Sequence, residues 1–127
     1  MEICFRHSIA LVKNIKESKH FYQNVMGLKI TREYDSVIMF ENNFVIHRAD
    51  VFYEYINKPY HGEKMGCDNV DFYFTTSDID DFQRKLEEEN VTFIHKIKQC
   101  DWGEKVIRIY DPDGYIVEIG DAHLDYL

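Results

Sequence analysis

The sequence predicts an α+β fold built from two βαβββ modules in tandem. Three observations lead there. Strand-like and helix-like segments run in the order β-α-β-β-β twice. The two halves also superpose: His7-x6-Asn14-Ile15 matches Asp71-x6-Asp78-Ile79, and Asn43-Phe44-Val45-Ile46-His47 matches Gly114-Tyr115-Ile116-Val117-Glu118, at offsets of 64 and 71 residues. An internal repeat says more about architecture than any single propensity. Finally, Asp111-Pro112-Asp113-Gly114 is a turn with a mechanism, because proline presets φ and glycine accepts the positive φ that follows.

The elements follow in order. Residues 3–12 read as a first strand with His7 in its middle. Asn14 is the expected N-cap, with Glu17 in capping-box position. Ile15, Phe21, Tyr22, Val25 and Met26 recur at helical spacing until Gly27 ends the helix. Strands are expected at 28–34, 37–40 and 44–47. The connection 49–66 has no clear period; its run 51–56 fits a short helix or a strand. The second module begins with a strand at 69–76. Ser77-Asp78 caps a helix whose apolar stripe is Ile79, Phe82 and Leu86, with Asp80 and Asp81 well placed in its first turn. Asn90 ends that helix, 91–94 is a strand, 96–103 a loop, and 106–110 leads into the turn and the last strand at 115–119. The expected organisation is one domain: module one 1–48, connection 49–66, module two 67–121 and a tail 122–127.

Composition narrows the function. With 127 residues, 45% of them hydrophobic and 15% aromatic, the chain can bury a core without staples. A formal charge of −8 argues against nucleic acid and anionic membrane surfaces as partners. Cys4, Cys67 and Cys100 are odd in number and far apart, as expected of reduced thiols. No signal peptide and no apolar run of membrane-spanning length is read, so a cytoplasmic location is expected.

Glu118 breaks an apolar strand. Alternation puts Ile116, Glu118 and Gly120 on one face, and a carboxylate there must be solvated, paired or metal-bound. Through the repeat, His7 and Asp71 fall on the first strands and His47 and Glu118 on the last. If the halves fold alike and pack edge to edge, these four form a set of two histidines and two carboxylates. Such N/O ligands suit Zn, Ni, Co, Mn or Fe(II), and no thiolate is present for a closed structural zinc.

The paired modules resemble the vicinal oxygen chelate superfamily, which includes glyoxalase I, extradiol dioxygenases and bleomycin-resistance proteins. The resemblance rests on His7 in Arg-His-Ser-Ile-Ala-Leu-Val, on Phe21-Tyr22-x-x-Val25-Met26-Gly27-Leu28, and on Trp102-Gly103-x4-Arg108-x-Tyr110-Asp111-Pro112-Asp113-Gly114-x3-Glu118. It implies a curved, mainly antiparallel eight-stranded cradle with a helix flanking each module. It further implies a divalent metal on His7, His47, Asp71 and Glu118, a metal-stabilised enediolate, and Glu118 as the base that removes a carbon-bound proton. The chain has His47 where such sites usually carry a carboxylate and Asp71 where they carry a histidine; Asp71 in place of histidine also counts against an extradiol dioxygenase. A second reading is a metal-free drug-sequestering protein similar to the bleomycin-resistance group. Its support is the acidic charge and the aromatic surplus, including Phe52, Tyr53, Tyr55, Tyr60 and Trp102. Phe52, Tyr55, Trp102 and Arg108 are the expected substrate-pocket residues. A small-molecule ligand and a homodimer are expected, the latter because open sheet edges favour pairing.

Overall fold

The computed structural model describes residues 1–121; the tail 122–127 lies outside the described residues. The elements are β1 (Ser8–Val12), α1 (Ile15–His20), β2 (Ile30–Glu33), β3 (Val37–Phe40), β4 (Phe44–Arg48), α2 (Ala49–Tyr55), β5 (Asp71–Thr76), α3 (Ile79–Glu88), β6 (Thr92–Gln99), β7 (Lys105–Tyr110) and β8 (Ile116–Asp121). They form two four-stranded mixed sheets, ordered β1-β4-β3-β2 and β5-β8-β7-β6. The chain divides into two compact units, Met1–Met65 and one that begins at Gly66; these are modules one and two below. Among the described residues no helix is long and apolar enough to cross a membrane.

In module one, β1 runs parallel to β4, and β3 pairs antiparallel with both β4 and β2. The Asn14 side chain accepts from the backbone N–H groups of Lys16 and Glu17, which starts α1. A π-helical turn, Phe21–Val25, continues it and delivers Phe21, Tyr22 and Val25 to the core. There Tyr22 packs on Phe44 with ring centroids 4.9 Å apart, and Val12 and Ile46 are fully buried. β1 is shorter than the sequence suggests. Its partner β4 begins only at Phe44, so residues 1–7 have no strand to pair with, and Ile3 and Phe5 are exposed. The ambiguous run after β4 is helical.

Module two repeats the order. β5 runs parallel to β8, and β7 pairs antiparallel with β8 and β6. The Asp78 side chain caps α3 by accepting from the Asp81 N–H. Ile79 and Leu86 of α3 are buried with Ile107, Ile109, Val117 and Ile119 of the sheet. A side chain as completely buried as Leu86 contributes on the order of 2 kcal/mol. β6 reaches Gln99, because β7 begins at Lys105 and the two form a long hairpin; most of the expected loop 96–103 is therefore strand or tight turn. The Asp111–Gly114 turn closes as expected: the Gly114 N–H donates to the Asp111 carbonyl at 3.0 Å, and Gly114 has φ +86°. The Asp111 carboxylate also accepts from the backbone N–H groups of Asp113 and Tyr115 at 2.8 and 2.9 Å. That lock sets where β8 starts, and so which face Glu118 takes.

Candidate functional site

Strand register in module two assembles a polar row on the sheet face opposite α3. Glu118 of β8 stands directly across from Tyr73 of β5 and Arg108 of β7, and Arg108 stands across from His95 of β6. Asp71 pairs with Ile116, two residues before Glu118, so Asp71 and Glu118 share a face and lie on the diagonal. Diagonal neighbours are within reach of carboxyl side chains, and these two are hydrogen-bonded to each other.

The row has a defined charge pattern. Arg108 Nε donates to Glu118 Oε1 at 3.2 Å, and its Nη1 lies 3.0 Å from His95 Nε2. A guanidinium only donates, so His95 Nε2 is the acceptor and carries no proton. His95 Nδ1 then holds the proton and donates to the Lys96 carbonyl at 2.7 Å. His95 is thus fixed as one neutral tautomer. Partial burial pushes the Asp71 carboxyl up to about 7, helped by the hydrogen bond to Glu118 and by its negative charge, while Arg108 pulls the other way. The Asp71 carboxyl therefore keeps a proton into the neutral range, and that proton is donated to Glu118.

Beside this row a second cluster fixes the loop that carries Trp102. Glu104 is 3% exposed; its carboxylate accepts from the Tyr73 hydroxyl and from Trp102 Nε1, the latter at 3.2 Å. Gly120 leaves room for them, since a Cβ there would sit 2.2 Å from Glu104 Oε2. The indole itself is exposed.

Module one is arranged differently. Its register sets Ser8 across from Phe44 and Leu11 across from His47. Extended by one residue, it sets His7 level with Asn43, four residues before His47. At roughly 3.3 Å per residue the two histidines are about 13 Å apart along the strands, twice the offset of Asp71 from Glu118. The equivalence read from the repeat therefore does not hold at this point. With Phe44 matched to Tyr115, it is Ile9, paired with Val45, that occupies the seat of Asp71. His7 is exposed, whereas His47 is buried beneath α2, with ring centroids 5.4 Å from Phe52 and 5.8 Å from Tyr55. Its Nδ1 donates to the Arg48 carbonyl at 3.2 Å, which leaves Nε2 as the lone-pair nitrogen.

Of the expected residues, the structure brings Asp71, Glu118 and Arg108 together in module two and His47, Phe52 and Tyr55 together in module one. Trp102 lies on the Glu104 loop. Within module one, His7 stands apart from His47. Among the described residues no group of three or more His, Cys, Asp or Glu side chains gathers as a metal centre requires. The Glu118 carboxylate is already bonded to a guanidinium, which supplies the positive charge a cation would bring.

His95, Tyr73 and Glu104 were not singled out from the sequence. Tyr73 was readable, since it alternates with Asp71 along one strand. His95 was not, because β6 shifts register between Phe93 and His95, and such a bulge changes which face the following residues take. Glu104 carries no pattern, since its role comes from the loop.

Comparison with known proteins agrees with the fold. The glyoxalase-like domain family matches residues 5–123. A protein of unknown function from Agrobacterium tumefaciens strain C58 is 34% identical over 96% of both chains, with a TM-score of 0.89. A lactoylglutathione lyase from Agrobacterium tumefaciens is 18% identical over 98% of both chains, with a TM-score of 0.71. A glyoxalase/bleomycin resistance protein/dioxygenase from Nocardioides is 16% identical over 95% of this chain and 85% of the other, with a TM-score of 0.75. At such identities the last two share the fold and carry no statement about activity. No curated protein matches the chain.

Proposed function

Starting from a chain that belongs to the glyoxalase-like domain family, we propose that it is a metal-free binding protein for a small cationic molecule, taken up on the polar row of module two. The observation that carries this reading is the Asp71–Glu118 carboxyl pair on the sheet face opposite α3, with Arg108 holding one oxygen of Glu118. A cationic ligand with N–H donors replaces the Asp71 proton: Asp71 gives it up to solvent, and both carboxylates then accept from the ligand. The chain's charge of −8 favours approach of cations. Tyr73, across from Glu118, and Trp102, on the loop that Glu104 holds, offer aromatic faces for the apolar part of such a ligand.

Because a proton leaves as the ligand binds, affinity for a cation rises as pH increases through about 7. The test is a titration with benzamidinium at pH 6 and pH 8, followed by fluorescence of Trp102, the only tryptophan. Saturable quenching that is stronger at pH 8 and lost in Asp71→Asn and Glu118→Gln supports the reading. No saturable quenching at either pH overturns it.

The second reading is a glyoxalase I-like lyase with a divalent metal (Zn, Ni, Co, Mn or Fe), held by His7, His47, Asp71 and Glu118, and with Glu118 as base. The adjacency of Asp71 and Glu118 favours it. Stoichiometric uptake of one of these metals by protein made without a histidine tag, lost in His47→Ala, establishes it over the first. A homodimer is also proposed, because β2 is an exposed edge strand and pairing removes such edges; sedimentation equilibrium tests it.

A further inference from the structure

Module one holds a second polar cluster, of opposite character to the carboxyl pair and apart from His47. A shallow cavity of about 330 Å³ opens beside the turn between β3 and β4, lined by His7, Arg32, Asn42, Asn43, Met39 and Phe40 among others. We propose that this cavity binds a small organic monocarboxylate.

Arg32 Nη1 reaches the Tyr34 hydroxyl at 3.4 Å, and among the described residues no acceptor takes its remaining N–H groups. The side chains of His7, Asn42 and Asn43 likewise have no hydrogen-bond partner among the described residues. A guanidinium, an imidazole and two carboxamides thus line one cavity with their donors unspent. The planar guanidinium fork matches a carboxylate with two parallel hydrogen bonds. The wall behind is the half-buried Met39 side chain, a surface for a hydrocarbon body rather than for a bare ion.

Glu41 also lines the cavity and limits the charge. Its carboxylate repels a second negative charge on the ligand, which selects a monocarboxylate over a phosphate dianion. The net charge of −8 opposes anions at long range, so binding depends on the local donors rather than on the field of the whole chain. The site assigns His7 a role that needs no metal and no contact with His47.

Benzoate and its uncharged analogue benzamide test this, with the histidine ring signals followed by NMR and the His7 signal assigned through His7→Gln. The expected result is a saturable benzoate-dependent shift of the His7 signal, at least tenfold weaker binding of benzamide, and at least a tenfold loss of benzoate affinity in Arg32→Gln. Arg32 and His7 are both exposed, so neither substitution disturbs the core. Asp71→Asn and Glu118→Gln leave benzoate binding unchanged, which separates this site from the carboxyl pair. Absence of a saturable shift, equal binding of benzamide, or unaltered affinity in Arg32→Gln overturns the proposal.

Discussion

Modules one and two have the same element order and the same strand order within their sheets, yet they use the same pair of strands differently. In module two the first and last strands are in a register that seats Asp71 diagonally beside Glu118. In module one the corresponding register brings Ile9 to that seat and leaves His7 two residues short of it. A slide of two residues is nearly invisible to the fold, because side chains alternate with a period of two and every residue keeps its face. It is decisive for a site, since it moves a side chain by about 7 Å along the strand. Repeated architecture therefore does not guarantee a repeated constellation. Module two has become a carboxyl pair with a guanidinium partner, and module one a buried histidine and a separate donor-lined cavity.

Substitutions that act on one module only break or sharpen this contrast. The largest effect is expected at Gly66, where module two begins. A Cβ there would lie 2.3 Å from the Gly114 carbonyl carbon, against backbone that the Asp111 lock holds in place. Gly66→Ala is expected to destabilise by the upper end of about 1–3 kcal/mol, read as a lower urea midpoint. Next, Ile9→His restores in module one the seat that the slide vacated. With His47 Nε2 free on the same face, this variant is expected to bind Zn at least tenfold more tightly than the wild type by calorimetry. His7→Gln on the same background is expected to change nothing. If Ile9→His gains no affinity, or if the gain depends on His7, the register account is wrong.

Smaller effects come from the polar row. Arg108→Gln removes the guanidinium from Glu118 and is expected to destabilise by about 1–2 kcal/mol. The same change removes the pull that holds the Asp71 carboxyl down, so its pKa moves further up. The smallest effect is the pH dependence of stability. The Asp71 pKa is raised in the folded state, so the native chain binds more protons than the unfolded one between about pH 4 and 7. Stability contributed by this group is therefore greatest at the acid end and falls as pH rises through 7. Urea midpoints at pH 5 and pH 8 are expected to lie closer together in Asp71→Asn than in the wild type.

Much of the fold was legible because local chemistry dictates it. Asn14 and Asp78 cap their helices, and Asp111-Pro112-Asp113-Gly114 makes its turn, whatever surrounds them. The face of Glu118 followed from alternation and the position of that turn. What the sequence concealed has one physical cause in two places. Strand pairing is long-range, and neither the slide between β1 and β4 nor the bulge at His95 leaves a trace in residue order. The first hid the separation of His7 from His47; the second hid the partnership of His95 with Arg108. The helix Ala49–Tyr55 that covers His47 was ambiguous because its seven residues span barely two turns, too few for a period to show.

The claim at the centre of this account is that burial and the neighbouring Glu118 hold a proton on the Asp71 carboxyl up to about pH 7. Carbon-13 NMR of the Asp71 side-chain carboxyl across pH 3–9 tests it most directly. The expected midpoint is about 7 in the wild type, unchanged by a chelator and moving down toward the ordinary carboxylate range in Glu118→Gln. A midpoint near 4 in the wild type, or one that does not respond to Glu118→Gln, would contradict the pairing.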